Sequence, residues 1–205
     1  MGSKSRWVTA PPRSRALKPS ETPRFIAAAH ALAAESKTNR ASIFRLVEFL
    51  ALTGLRFSEA AELSWSEVDL GGATLNISPE RMKGKRPFVK PLGKLAASVL
   101  QSQRELSIAG RFVFPSPANA EKPIDDARVA IAETCKRAGV VVTPHDLRRT
   151  FIRAAALAML PTARIKALVA HADSEKSTAC RYGSLRCPRT PECRGNQLGP
   201  RCVAA

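Results

Sequence analysis

Apolar residues in this chain recur at three- and four-residue spacing in segment after segment, whereas alternation at two-residue spacing occurs in one place. That contrast limits the folds open to it. "RFIAAAHALAAE" predicts a helix over 22–35, entered through Glu21 and Thr22. "SIFRLVEFLAL" predicts a second, with Ile43, Val47 and Leu50 on one face; "TGLR" breaks it at Gly54, and "FSEAAELSW" resumes helically. "ATLNIS" alternates as a strand, and "RPFVKP" is its expected antiparallel partner across a basic turn. Further helices are expected near 93–106, 125–138, 144–159, 162–169 and 174–182, with "RFVFPS" as an extended link. No internal repeat is visible. The fold class is therefore mainly α with a small antiparallel β-sheet (α+β). At 205 residues and 44% hydrophobic, the chain can bury one real core. Residues 1–20 are Pro-rich and basic and read as a disordered or loosely attached leader; 21–185 form the folded domain; 186–205 are an irregular Cys/Pro/Arg-rich tail.

The helix in "TPHDLRRTFIRAAALAML" has an unusual opening turn. Thr143 suits the N-cap, Pro144 the first helical position, and Asp146 completes a capping-box spacing. Leu147, Phe151, Ala154 and Ala158 recur at helical spacing and are expected to face a core. His145 and Arg148, three apart, share one face at the helix entrance. Taken alone, that turn reads as a solvated basic end with a chance histidine.

Charge narrows the partners. The chain carries 33 Lys+Arg against 17 Asp+Glu, a formal net charge of +16. Such an imbalance favours a polyanion, nucleic acid ahead of an anionic membrane surface. No apolar run approaches the length of a membrane span, and "MGSKSRWVTAPPR" has no apolar stretch behind its charges to make a signal peptide. A cytoplasmic location is the expectation. Cys135 belongs to a helix closed by Gly139 and reads as packing. Cys180, Cys187, Cys193 and Cys202 fit no zinc spacing, so they are read as reduced thiols and no metal site is expected.

The remaining polar residues suggest chemistry. Arg56 follows the Gly54 turn, where a side chain projects from a rigid corner. Arg81, Lys83, Lys85, Arg86, Lys90 and Lys94 follow one another without an intervening acid. His145 and Arg148 open one helix, His171 ends the next, and Tyr182 is the chain's only tyrosine. Arginine forks match two phosphate oxygens at once and stay charged. A tyrosine hydroxyl is a competent nucleophile when His and Lys move protons. The set points to phosphoryl transfer.

"LALTGLRFSEAAELSWSEVDL", "MKGKRPFVKPL", "RFVFPS", "TPHDLRRTF" and "HADSEKSTACRYG" occur in the order of one known family. Over approximately residues 41–184 the chain resembles the catalytic domain of the tyrosine recombinases, or phage integrases. The resemblance implies cleavage and rejoining of double-stranded DNA through a covalent 3′-phosphotyrosine, with no metal or nucleotide cofactor. Residue by residue it implies that Arg56 and Arg148 bind the phosphate, Glu59 steadies the Arg56 corner, and Lys83 is the hairpin lysine, with Lys85 as alternative. His145 pairs with Arg148, His171 occupies the later His/Trp position, Tyr182 is the nucleophile, and Arg149 supports the site. Arg81, Lys85, Arg86 and Lys90 are expected to contact the DNA backbone.

Members of the family carry a helical DNA-clamping domain before this region and self-associate on DNA through a C-terminal helix. The 40 N-terminal residues are too few for that clamp, which fits a truncated member, and the tail lacks helical periodicity. Two further readings share the residues: a catalytically inactive DNA-binding remnant of the same fold, and a type IB topoisomerase-like relaxing enzyme. A membrane partner is not expected.

Overall fold

Helix α2 (Thr38–Thr53) organises the molecule because it is apolar on nearly every side. Ala41, Phe44, Leu46, Val47, Phe49, Leu50 and Ala51 are all buried, and five other helices pack against it. A helix with apolar residues all round belongs inside a domain rather than on its surface. The single stripe expected through Ile43, Val47 and Leu50 is thus too narrow, and Ile43 is its least buried member. The computed structural model describes residues 15–36, 38–82, 87–106 and 110–169.

Around α2 lie α1 (Thr22–Glu35), α4 (Lys94–Glu105), α5 (Arg128–Ala138) and α6 (Pro144–Leu157). The short α3 (Phe57–Ala61) follows α2 across the Gly54 corner, and α7 (Thr162–Leu168) packs on α6. The segment read as helical to residue 65 instead leaves α3 after Ala61. It re-forms as a single 3-10 turn at Trp65–Glu67, where Glu67 accepts from the Ser64 N–H and hydroxyl. The leader expectation ends too late: Leu17 is buried in the core, and its N–H donates to Thr150 Oγ1 at 2.9 Å. Among the described residues, no helix is long and apolar enough to cross a membrane.

The sheet is antiparallel in the order β1 (Val68–Asp69), β2 (Thr74–Ile77), β3 (Phe88–Pro91), one short strand more than the sequence suggested. In β2, Leu75 and Ile77 are buried and Asn76 is exposed, as period-two alternation requires. Register places Lys90 opposite Leu75 and Val89 opposite Asn76. Lys90 is consequently on the buried face at 2% exposure, while Val89 is 62% exposed. The polarity of β3 is inverted relative to its position in the sheet.

Helix α6 begins as expected. The Thr143 N–H and hydroxyl both donate to Asp146, and the Asp146 N–H returns a bond to Thr143 Oγ1. Its buried side differs from the expectation. Leu147 and Ile152 are buried and Phe151 is half-buried, but Ala154 and Ala158 are exposed. Polar Asp146, Arg148 and Thr150 fill the remaining inward positions, each with partners, and a stripe counted from apolar residues alone misses them. Toward its C-terminus the inward side turns to α7, where Ile152, Ile165 and Val169 form a second small core. The helix closes with Met159 in the left-handed region at φ 60°. Leu160 N–H donates to the Ala155 carbonyl and Met159 N–H to that of Ala156, a Schellman pattern normally completed by glycine.

Candidate active site

The site grows from the corner between α2 and α3. Gly54 has φ 64°, and a Cβ there would lie 2.6 Å from the Phe151 ring of α6, so both conformation and space require glycine. This close approach brings the start of α3 against the start of α6. Arg56, just past the corner, and Arg148, 92 positions later, become neighbours of one carboxylate, Glu59.

Glu59 is buried and acts as the hub. Its Oε2 accepts from the Arg56 N–H at 2.8 Å, and its Oε1 lies 2.5 Å from Arg56 Nη1. Oε2 also lies 3.9 Å from Arg148 Nη1. A buried carboxylate between two guanidinium groups neutralises part of their mutual repulsion and fixes where each points. Arg56 remains one-third exposed at its side chain. Arg148 does not project as a solvated fork: it is 4% exposed, with Nη1 donating to the Gly54 carbonyl at 2.8 Å and Nη2 to the Val169 carbonyl. The solvated-turn reading of this helix entrance therefore fails for Arg148.

His145 lies exposed at the same entrance. Its pKa falls below the ordinary 6.5 because of partial desolvation first, with repulsion from Arg149, Arg148 and Arg56 adding and Asp146 opposing. These effects favour the neutral ring, the form that can accept a proton. Arg149 reaches back to Asp146 Oδ1 at 3.1 Å, a bond inside α6 that braces the capping residue.

Two residues expected among the DNA contacts are turned inward instead. Arg81 pairs with Glu67, and its Nη2 donates to the Glu59 carbonyl at 2.9 Å, tying the end of the sheet to α3. Lys90 donates to the Leu168 carbonyl at 2.7 Å and stands 4.8 Å from the centre of the Phe151 ring. Burial, with repulsion from Arg148, lowers the Lys90 pKa to about 8, and Glu59 opposes the shift. Sequence reasoning missed both internal roles, because each residue sits in a basic run that reads as a solvated stripe. The available signal was β-alternation, which carried from buried Leu75 across the hairpin assigns position 90 inward.

The structure therefore brings together Arg56, Glu59, His145, Arg148 and Arg149, with Lys90 behind them. Lys83, Lys85, Arg86, His171 and Tyr182 lie outside the described residues. The helix expected at 174–182 does also.

Known proteins are similar to this chain in sequence and in fold. Prophage integrase IntA of Escherichia coli (strain K12) is 34% identical over 127 residues, which is 61% of this chain and 30% of that protein. Tyrosine recombinase XerC of Xylella fastidiosa (strain 9a5c) is 33% identical over 110 residues, 52% of this chain and 36% of that one. The chain thus spans 30% and 36% of the length of these two relatives. In fold it is similar to the crystal structure of XerA recombinase, with a TM-score of 0.64 at 24% identity over 80% of this chain and 58% of that one. A lambda integrase (75–356) dimer bound to a COC′ core site gives 0.61 at 17% identity, covering 82% of this chain and 62% of that one. The sequence pattern of the phage integrase family runs from residue 15 to residue 185, through the α3 corner, the sheet and the α6 entrance alike, and the chain belongs to that family.

Proposed function

We propose that this domain cuts and rejoins double-stranded DNA through a covalent 3′-phosphotyrosine on Tyr182. The observation that carries the reading is the convergence of Arg56 and Arg148 on Glu59, with His145 close enough to feel both arginines. That arrangement suits a phosphodiester undergoing in-line attack, and the relatives named above are integrases and recombinases.

In the proposed step the Tyr182 phenol oxygen attacks phosphorus as the bond to the 5′-oxygen breaks. Negative charge builds on the nonbridging oxygens, where fixed guanidinium groups stabilise the transition state more than the ground state. A phenol with an ordinary pKa near 10 must lose its proton as it attacks, and His145 accepts it. Lys83, with Lys85 as the alternative, gives a proton to the departing 5′-oxygen, and His171 hydrogen-bonds the phosphate. The phosphotyrosine conserves the ester, so attack by a 5′-hydroxyl reverses the sequence and reseals a strand. No metal or nucleotide takes part. Lys83, Lys85 and Arg86 contact the DNA backbone; Arg81 and Lys90 do not, being engaged internally.

The test uses nicked suicide duplexes of randomised sequence, on which a cleaved strand end diffuses away and the covalent complex accumulates. The full chain is expected to form an SDS-resistant adduct that EDTA does not affect. Tyr182→Phe abolishes it, and Arg148→Ala reduces it nearly as far. An adduct that survives Tyr182→Phe refutes the mechanism. DNA binding without any adduct makes the chain an inactive remnant of the fold, and site-independent relaxation of supercoiled plasmid makes it topoisomerase-like.

A further inference from the structure

Lys90 is a charged residue in a position built for an apolar one. It lies on the inward face of β3, opposite Leu75, with an exposure of 2%. Lysine is almost never buried so fully without a partner, and a chain needing only a filled sheet face places a β-branched residue there. Its Nζ is aimed instead at the Leu168 carbonyl, 2.7 Å away. The next carbonyl along, Val169, accepts from Arg148 Nη2. Two cations from different elements, β3 and α6, therefore take consecutive main-chain carbonyls at the end of α7.

Those carbonyls are the ones a helix cannot satisfy for itself, and they carry the negative end of its dipole. Helix α7 is seven residues long, with Ile165 its buried side chain. A helix so short has little stability of its own, so its placement comes from tertiary contacts. The Ile152–Ile165–Val169 cluster holds one side, and the Lys90 and Arg148 bonds hold the end.

We propose that Lys90 is a positioning residue: with Arg148 it clasps the C-terminal carbonyls of α7 and so fixes the end of the helix from which the chain continues to His171. The inference rests on the strand-transfer reading for its effect on rate, while the clasp itself stands on the geometry. Among the described residues, the groups facing the ammonium are Arg148 and the Phe151 ring from α6, Glu59 from α3 and the Leu168 carbonyl from α7. With Arg148 repelling and burial opposing the charge, Lys90 loses its proton near pH 8. The neutral amine still donates to the Leu168 carbonyl, and Arg148 stays charged.

The experiment compares the wild-type chain, Lys90→Met and Lys90→Arg by amide hydrogen exchange at pH 7, alongside adduct formation on the nicked duplex pool. In wild type the α7 amides are protected. In Lys90→Met, α7 protection falls while α4 and α5 stay intact. Lys90→Arg keeps the protection. Adduct rates follow the same order, with Lys90→Met slower by roughly 10- to 100-fold, the scale of a misplaced catalytic element. Wild-type protection of α7 in Lys90→Met overturns the clasp. An unchanged adduct rate in that variant overturns its link to catalysis. A wild type that forms no adduct defeats the strand-transfer reading, and hydrogen exchange still decides the clasp.

Discussion

Replacing Lys90 with methionine is expected to make the protein more stable at neutral pH, an unusual outcome for removing a bonded side chain. The lysine titrates near 8 in the folded chain, against an ordinary 10.5. A gap of about 2.5 units corresponds to roughly 3 kcal/mol of unfavourable free energy for keeping the ammonium buried when both states are protonated. Methionine matches the length and removes that cost. It also leaves the Leu168 carbonyl without its donor, a loss of about 1–3 kcal/mol. The net is a gain of roughly 1 kcal/mol at pH 7. The sign then changes with pH. Because the folded pKa is depressed, the unfolded wild type binds more protons between about pH 8 and 10.5, and wild-type stability rises through that window. By pH 9.5 the wild type regains about 2 kcal/mol, so the variant becomes the less stable of the two. Urea denaturation at pH 7 and pH 9.5 measures both differences. A variant that is less stable at both, by a margin that does not move with pH, would show that the buried ammonium carries no such cost.

Other perturbations read different parts of the same frame. Gly54→Ala forces a side chain into the left-handed region and within 2.6 Å of the Phe151 ring; a loss of about 3 kcal/mol in denaturant titration is expected, and less than 1 would contradict the packing. Met159→Gly relieves a left-handed residue that is 87% exposed and contributes little packing, and should add about 1 kcal/mol; a loss of stability would show that the side chain packs after all. DNA binding should be salt-sensitive and weak, about 10⁻⁴–10⁻⁶ M at physiological salt. Neutralising Lys83, Lys85 and Arg86 should flatten the log–log salt dependence by roughly 0.9 per lost contact, while Lys90→Met should leave it unchanged.

The parts of this fold legible from sequence were those set by local rules. Gly54 ends a helix wherever it falls, Thr143-Pro144 with Asp146 starts one, and a single alternating segment marks the hairpin. Helices α1, α4, α6 and α7 fall within a few residues of the expected ranges for that reason. Tertiary choices were not legible. Ala154 and Ala158 look like core residues, but alanine is at home on either side of a helix, and α7 docks on the Ile152 side instead. Arg148 reads as a solvated charge until Gly54 and Val169 supply buried partners from far along the chain. Within the site, the Arg56–Glu59–Arg148 grouping followed from resemblance, since nothing in the spacing of residues 92 positions apart predicts contact. Lys90 and Arg81 were obscured by their company. In a run of basic residues, the two whose partners lie inside look like those whose partners lie outside.

The central claim is that strand cleavage passes through the only tyrosine in the chain, and the identity of the modified residue tests it most directly. The adduct from the suicide duplexes is digested with nuclease and protease, and the nucleotide-bearing peptide is sequenced by tandem mass spectrometry. The account predicts one modified site, Tyr182, carrying a 3′-linked nucleotide through its phenol oxygen and formed equally in EDTA. A nucleotide attached to any other residue, or cleavage that proceeds with no protein–DNA bond, would contradict it.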